Sequence, residues 1–263
     1  MGKSSRKKDT RFLAGHQRSW LWGRHPVVEA LEAGRWPVAE LYLSSALSPD
    51  AAGHAATLAR GMGALVETVS PERLRELGHV EDHQGYLARM GPFPYAAVGG
   101  VLEDARLCGD GAPPLFLVLD AVQDTFNFGA IIRSAEALGA RAVFVGATGQ
   151  AGVNSLVARA SAGAVNRIPV AETDDLPGLA RTLRERGVFV AAADEKEGVP
   201  CAGCDFRRPS ALVLGNEGRG VGAALAAECD GRVRIPMAGG IASLNVAAAA
   251  AVLLYEVWRQ KHG

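Results

Sequence analysis

The chain has 263 residues, 48% of them hydrophobic and 21% charged, and its 28 basic and 28 acidic side chains cancel to a formal charge of zero. This composition is too apolar for a disordered protein and gives no overall electrostatic attraction to nucleic acid. The longest apolar run, Val246 to Tyr255, falls well short of a bilayer, and no signal-type apolar segment follows the basic N-terminus, so a cytoplasmic protein without a membrane partner is expected.

Residues 1–19 carry Lys3, Arg6, Lys7, Lys8, Arg11 and Arg18 against Asp9 alone. They read as a basic flexible tail, either a solvated leader or a short arm that neutralises RNA phosphates. From Trp22 to about Pro94 helix and strand patterns alternate. Arg24 to Ala33 has helical spacing and ends at Gly34, Ala39 to Leu43 reads as a strand, and Ala51 to Met62 as a second helix. Ala64 to Val69 is a strand, Pro71 to Leu77 a short helix with Pro in its first turn, and Gly85 to Met90 a further strand. Residues 20–95 are therefore expected to form a small αβ domain.

Eight Gly and Pro residues between Pro92 and Pro114 mark a boundary, placed as a linker over 96–113, although Val101 to Arg106 keeps some helical character. Leu115 to Asp120 (LFLVLD) is a continuous apolar run suited to a parallel strand buried on both faces. Strand patterns recur at Ala142 to Gly146, Arg167 to Val170, Val188 to Ala192, Ala211 to Gly215 and Arg232 to Ile235. With helical segments between most of them, residues 114–263 predict an α/β domain, an open, mostly parallel sheet with helices on both faces. Ligands of such sheets bind beyond the carboxyl ends of the strands.

Three polar turns follow strand ends in that domain. In Asp120 to Arg133 (DAVQDTFNFGAIIR), Asn127 stands before Gly129 and a helix expected over Ala130 to Leu138. Two readings are open there: Asn127 caps the helix and Arg133 pairs with Glu136, or both face a ligand. In Gly215 to Gly220 (GNEGRG), Gly215 lets a ligand approach the main chain, and Glu217 is either a plain turn residue or a carboxylate that pairs with Arg133. In Ile235 to Val246 (IPMAGGIASLNV), Ser243 is the natural cap of the final helix and Asn245 lies in its first turn, where helix propensity offers no reason for Asn. Main-chain groups around Ile235, Met237 and Leu244 would suit an adenine ring. Cys108, Cys201, Cys204 and Cys229 include one Cys-x-x-Cys pair but no second pair at ligand spacing, so reduced thiols and no metal site are expected.

In this order and context the three turns resemble the motifs of the SpoU-TrmH family of RNA ribose 2′-O-methyltransferases. The similarity extends over Ala158 to Val170 (ARASAGAVNRIPV), between the first two motifs. Gly23 to Leu31 (GRHPVVEAL) with His83-Gln-Gly85 resembles the substrate-binding domain of many members, closest to the bacterial 23S rRNA guanosine branch. Thr125 stands where the first motif usually has Pro, which alters loop stiffness and leaves the chemistry in place.

The resemblance implies a trefoil knot in the C-terminal sheet, which no periodicity argument would predict. It further implies S-adenosylmethionine as cofactor held by Gly215, Ile235 and Leu244, and a reaction site of Asn127, Arg133, Glu217, Ser243 and Asn245. A homodimer is implied, its final helix (Ser243 to Gln260) rich in small residues, with RNA and not DNA as partner. Arg133 would act as a base with a lowered pKa or as a cation that stabilises the developing alkoxide. Alternatives are a catalytically silent rRNA-binding protein and a methyltransferase that acts on tRNA or confers antibiotic resistance. A dinucleotide-dependent enzyme is disfavoured, since no G-x-G-x-x-G follows Leu115 to Asp120.

Overall fold

The computed structural model describes residues 19–104, 112–241 and 243–263. The basic tail, but for Ser19, and Cys108 lie outside them. The chain divides into two units: one runs to Pro94 and takes in Val153–Arg167, and the other comprises Tyr95–Gly152 and Ile168–Gly263.

The first unit holds β1 (Trp20–Trp22), α1 (Arg24–Ala33), β2 (Val38–Ser44), α2 (Pro49–Gly61), β3 (Leu65–Val69), α3 (Pro71–Gly78) and β4 (Tyr86–Met90). Its four strands lie in the order β1-β4-β2-β3, with β2 and β3 parallel and the other pairs antiparallel. Ser48-Pro49 and Ser70-Pro71 open α2 and α3: each serine accepts a hydrogen bond from an amide of the first turn, and each proline occupies a position whose N–H the helix does not need. Helix α1 has only Gly23 as its cap, and the missing acceptor comes from elsewhere: Oε1 of Gln84 takes the Arg24 N–H at 3.0 Å.

The segment Val153–Arg167, from the middle of the expected second domain, groups by its contacts with the first unit. It contains a short helix, Ser155–Ala160, capped by Asn154, and a 3-10 turn at Ala164–Asn166. The Arg159 guanidinium sits 4.2 Å over the Trp22 ring and donates to the Trp22 carbonyl, and Arg167 forms a two-bond pair with Glu29 at 2.7 and 2.9 Å. Leu156 packs against the cluster of Trp20, Trp22, Leu74, Val80 and Leu87. The strand expected at Arg167 to Val170 begins only at Val170, and Arg167 belongs to this clasp.

In the second unit, α4 (Val98–Glu103) occupies part of the expected linker, and its Val101 and Leu102 are buried in the core. There follow β5 (Leu115–Leu119), α5 (Thr125–Ala137) and β6 (Ala142–Gly146). Past the clasp, whose helix Ser155–Ala160 is α6, come β7 (Val170–Thr173), α7 (Leu176–Glu185), β8 (Phe189–Ala193), β9 (Val199–Pro200), β10 (Ser210–Leu214), α8 (Ala223–Ala227), β11 (Gly231–Arg234) and α9 (Val246–His262). The seven strands form one sheet in the order β7-β6-β5-β10-β8-β11-β9, every pair parallel. All residues of β5, β6 and β10 are buried, as an all-parallel sheet covered on both faces requires. At about 1.5–3 kcal/mol per fully buried large aliphatic side chain, these strands are the main source of the unit's stability. Because the strands are parallel, β8, β10 and β11 end at one edge, and the second and third polar turns begin there.

Candidate active site

Asp124 opens α5: its carboxylate accepts the Asn127 N–H at 2.8 Å, and the helix starts at Thr125, five residues earlier than the sequence suggests. Asn127 is therefore not the cap. It lies inside the first turn, with its side chain free for tertiary contacts. Thr125 occupies the first helical position, where proline is favoured for its fixed φ but where its missing N–H is not otherwise needed, so the helix tolerates the exchange.

The final helix shows the converse correction. Its cap is Asn245, not Ser243: Oδ1 of Asn245 accepts the N–H of Ala247 at 2.9 Å and of Ala248 at 3.3 Å. The helix consequently spans Val246–His262, later than the expected Ser243 to Gln260. The asparagine that propensity left unexplained is explained by the capping bond.

These placements bring three predicted residues together. Nδ2 of Asn245 donates to Oδ1 of Asn127 at 3.0 Å, and Nδ2 of Asn127 donates to Oε1 of Glu217 at 2.9 Å. The chain of donors runs in one direction, from the first turn of α9 through Asn245 and Asn127 to the carboxylate. Arg133 does not join it. Neither the expected Glu217–Arg133 pair nor the Arg133–Glu136 pair forms: Glu217 accepts from Asn127, and Arg133 is exposed, with no hydrogen-bond or ion-pair partner among the described residues. Ser243 is exposed one residue before Leu244, with no capping role.

A cavity of about 680 Å³ lies at the carboxyl ends of β8, β10 and β11, a size suited to a small-molecule ligand. Gly215, Glu217, Ile235, Ser243 and Leu244 line it; Asn127, Arg133 and Asn245 do not. Its apolar cover comes from Leu214, Ile235, Leu244, Val246 and Leu253. Gly215 is required by its own loop: a Cβ there would land on backbone atoms of Gly220 and Val221, so the chain turns back on itself where the sequence suggested only ligand approach.

Sequence reasoning missed one wall. Asp194, Glu195 and Lys196 follow β8 and line the cavity together with Arg232. The backbone amide of Glu197, followed by that of Lys196 and by Arg232, holds the Asp194 carboxyl below the usual carboxylate range despite partial burial, and Arg232 reaches it at 3.1 Å. The available signal was the position of Asp194 after a parallel strand, the place where such sheets bind ligands. Cys201 is buried and Cys204 partly so, with burial raising both thiol pKa values.

Residues 114–255 match the model of the SpoU rRNA Methylase family, and residues 20–96 match that of RNA 2′-O ribose methyltransferase substrate binding. The chain is 34% identical over 241 residues to the 23S rRNA (guanosine-2′-O-)-methyltransferase RlmB of Ralstonia nicotianae, covering 92% of this chain and 95% of that one. It is 33% identical over 242 residues to an uncharacterized tRNA/rRNA methyltransferase of Synechocystis, whose length it covers to only 62%. Among solved structures, the SpoU methyltransferase AviRb of Streptomyces viridochromogenes in complex with the cofactor AdoMet superposes with a TM-score of 0.74 at 30% identity, over 92% of this chain and 89% of that one. With more than half of its length inside the family model and both sheets in place, the chain belongs to the SpoU rRNA Methylase family.

Proposed function

We propose that this protein transfers a methyl group from S-adenosylmethionine to a ribose 2′-hydroxyl of RNA, with a guanosine of 23S rRNA as its target. The observation that carries this reading is the cavity at the strand ends, built from the turns after β10 and β11 and reached through Glu217 by the Asn245–Asn127–Glu217 chain. The RlmB relative supports the finer target, and the AdoMet complex of AviRb supports the cofactor.

The lining fits S-adenosylmethionine. Apolar side chains of Ile235 and Leu244 would cover the adenine faces, main-chain groups of the glycine-bearing loop from Gly215 would meet polar edges, and a lining that mixes Asp194, Glu195 and Glu217 with Lys196, Arg219 and Arg232 would suit a ligand that carries charges of both signs. When bound, the cofactor supplies an electrophilic methyl group on a sulfonium. The protein's own task is then to hold the ribose hydroxyl in line and to stabilise charge as its proton leaves. Glu217, its carboxylate orientation fixed by Asn127, orients the acceptor together with Ser243. Arg133, exposed and without a partner among the described residues, serves as a cation for the developing alkoxide.

A homodimer and the trefoil knot are part of the same proposal. Val252, Tyr255 and Trp258 expose an apolar stripe along α9, with Phe126 exposed at the start of α5 and Ile241 in the third turn, a pattern that a second copy would cover. Among the described residues no helix is long and apolar enough to cross a membrane.

Incubating the protein with radiolabelled S-adenosylmethionine and rRNA from cells that lack the gene, then mapping ribose methylation, tests the function. A single methylated guanosine in 23S rRNA is expected. Methylation of tRNA alone would replace the target, and no transfer to any RNA would favour a silent rRNA-binding protein. Arg133→Ala should slow transfer by about 10²–10³-fold, and near-wild-type rates for both Arg133→Ala and Arg133→Lys across pH would remove Arg133 from the mechanism.

A further inference from the structure

Glu217 sits in a loop whose form is set by the residue before it. Asn216 exchanges two main-chain hydrogen bonds with Gly220, at 3.1 and 2.8 Å, which close the loop into a tight turn. Its side-chain Oδ1 accepts the N–H of Gly218 at 2.9 Å and of Arg219 at 3.2 Å, so the backbone on either side of Glu217 is tied to one amide group. The same amide reaches out of the loop: Nδ2 donates to the carbonyl of Ala121 at 2.9 Å, 95 positions away.

Ala121 is an unusual acceptor. It holds a left-handed backbone, φ 60°, a conformation that is strained for a residue with a Cβ. Three neighbouring bonds maintain it. Asp120 Oδ2 accepts the Gly222 N–H at 2.7 Å, Gln150 Oε1 accepts the Val122 N–H at 2.8 Å, and the Val122 carbonyl accepts the Ala151 N–H at 2.9 Å. Three residues after Ala121, Asp124 begins the helix that carries Asn127. Glu217 is therefore held from two sides, directly by Asn127 and through its loop by Asn216, and both holds originate in the first polar turn.

The structure assigns Asn216 as a positioning residue that fixes Glu217 at the cavity rim by joining the second polar turn to the first. This rests on the reading of the cavity given above. An asparagine is needed because the position uses an acceptor towards the loop and a donor towards Ala121 in one short side chain. Aspartate keeps the acceptor and loses the donor, while alanine loses both. Preorganisation of an exposed carboxylate by such supporting bonds is how a site avoids spending substrate affinity on ordering it.

The test compares wild type with Asn216→Asp and Asn216→Ala. In cofactor-free protein, hydrogen exchange over residues 120–123 and 215–222 should quicken in both variants. Single-turnover methyl transfer from S-adenosylmethionine to rRNA should fall about 100-fold at pH 8. Towards pH 5 the ratio of Asn216→Asp to wild type should rise about tenfold, as the new carboxyl gains a proton and again donates to Ala121; the ratio for Asn216→Ala should stay flat. A purely structural role would lower both variants alike at every pH, and that result overturns the assignment, as does a wild-type rate for Asn216→Asp at pH 8 or unchanged exchange. If wild-type protein methylates no RNA, the proposed function fails, while the exchange comparison still decides the role of Asn216.

Discussion

Asn127 donates from Nδ2 to Oε1 of Glu217 over 2.9 Å, linking residues 90 positions apart at the edge of a cavity that Glu217 lines and Asn127 does not. The opposite end of the same amide accepts from Asn245, so the orientation of Asn127 is fixed by both partners. Removing it separates orientation from cofactor binding. Asn127→Ala should lower the rate of methyl transfer by about 10–100-fold, while calorimetry should find the affinity for S-adenosylmethionine changed by less than threefold. A large loss of affinity with an unchanged rate would show that Asn127 belongs to the cofactor site.

Gly215 makes the opposite prediction. Because a Cβ there meets backbone and not a movable side chain, Gly215→Ala must open the turn to Gly220. Overpacking of this kind costs about 1–3 kcal/mol. Both the melting temperature and cofactor affinity should drop together in this variant, and a fully stable protein with normal affinity would contradict the described loop.

Asn166 carries a buried side chain, 2% exposed, whose Nδ2 and Oδ1 have no hydrogen-bond partner among the described residues. Burying an amide without partners is unfavourable, and an apolar side chain of similar shape removes the penalty. Asn166→Leu should therefore raise the free energy of unfolding by about 1 kcal/mol in urea titrations. A destabilised variant would reveal a partner for this amide in the working protein.

Burial pushes the Cys229 thiol up to about 11, with Asp230 adding to the effect, and its Sγ lies 3.3 Å from the Leu225 carbonyl. The fold thus favours the protonated thiol, and the resulting stabilisation is complete below the ordinary value of 9.0 and is lost as pH rises from there through 11. At pH 8 a thiol reagent should modify Cys229 about 100-fold more slowly in folded than in unfolded protein. Cys229→Ala should flatten the fall in stability above pH 9; the same fall in both proteins would assign it to other groups.

Elements whose cause is local were legible in the amino-acid order. The apolar runs of β5 and β6 and the Ser-Pro starts of α2 and α3 each carry their signal within a few residues. Helix α5 was misplaced because Gly129, buried within it, looked like a boundary, while Asp124 was the true start. Asn245 was recognised as a site residue on resemblance, but its capping bond depends on where α9 begins, and Ser243 was an equally good cap by type. The Glu217–Arg133 pair was plausible by charge; geometry gave Glu217 to an uncharged amide instead. Asp194 and Asn216 went unnoticed because their roles exist only once β8, β10 and the first polar turn reach the same edge.

The excursion of Val153–Arg167 also constrains how the molecule is made. The peptide passes between the two units at Pro94–Tyr95, Gly152–Val153 and Arg167–Ile168, so no single cut separates them. During synthesis, Trp22 and Glu29 leave the ribosome long before Arg159 and Arg167, and the N-terminal unit stays incomplete until well over half of the polypeptide has been translated.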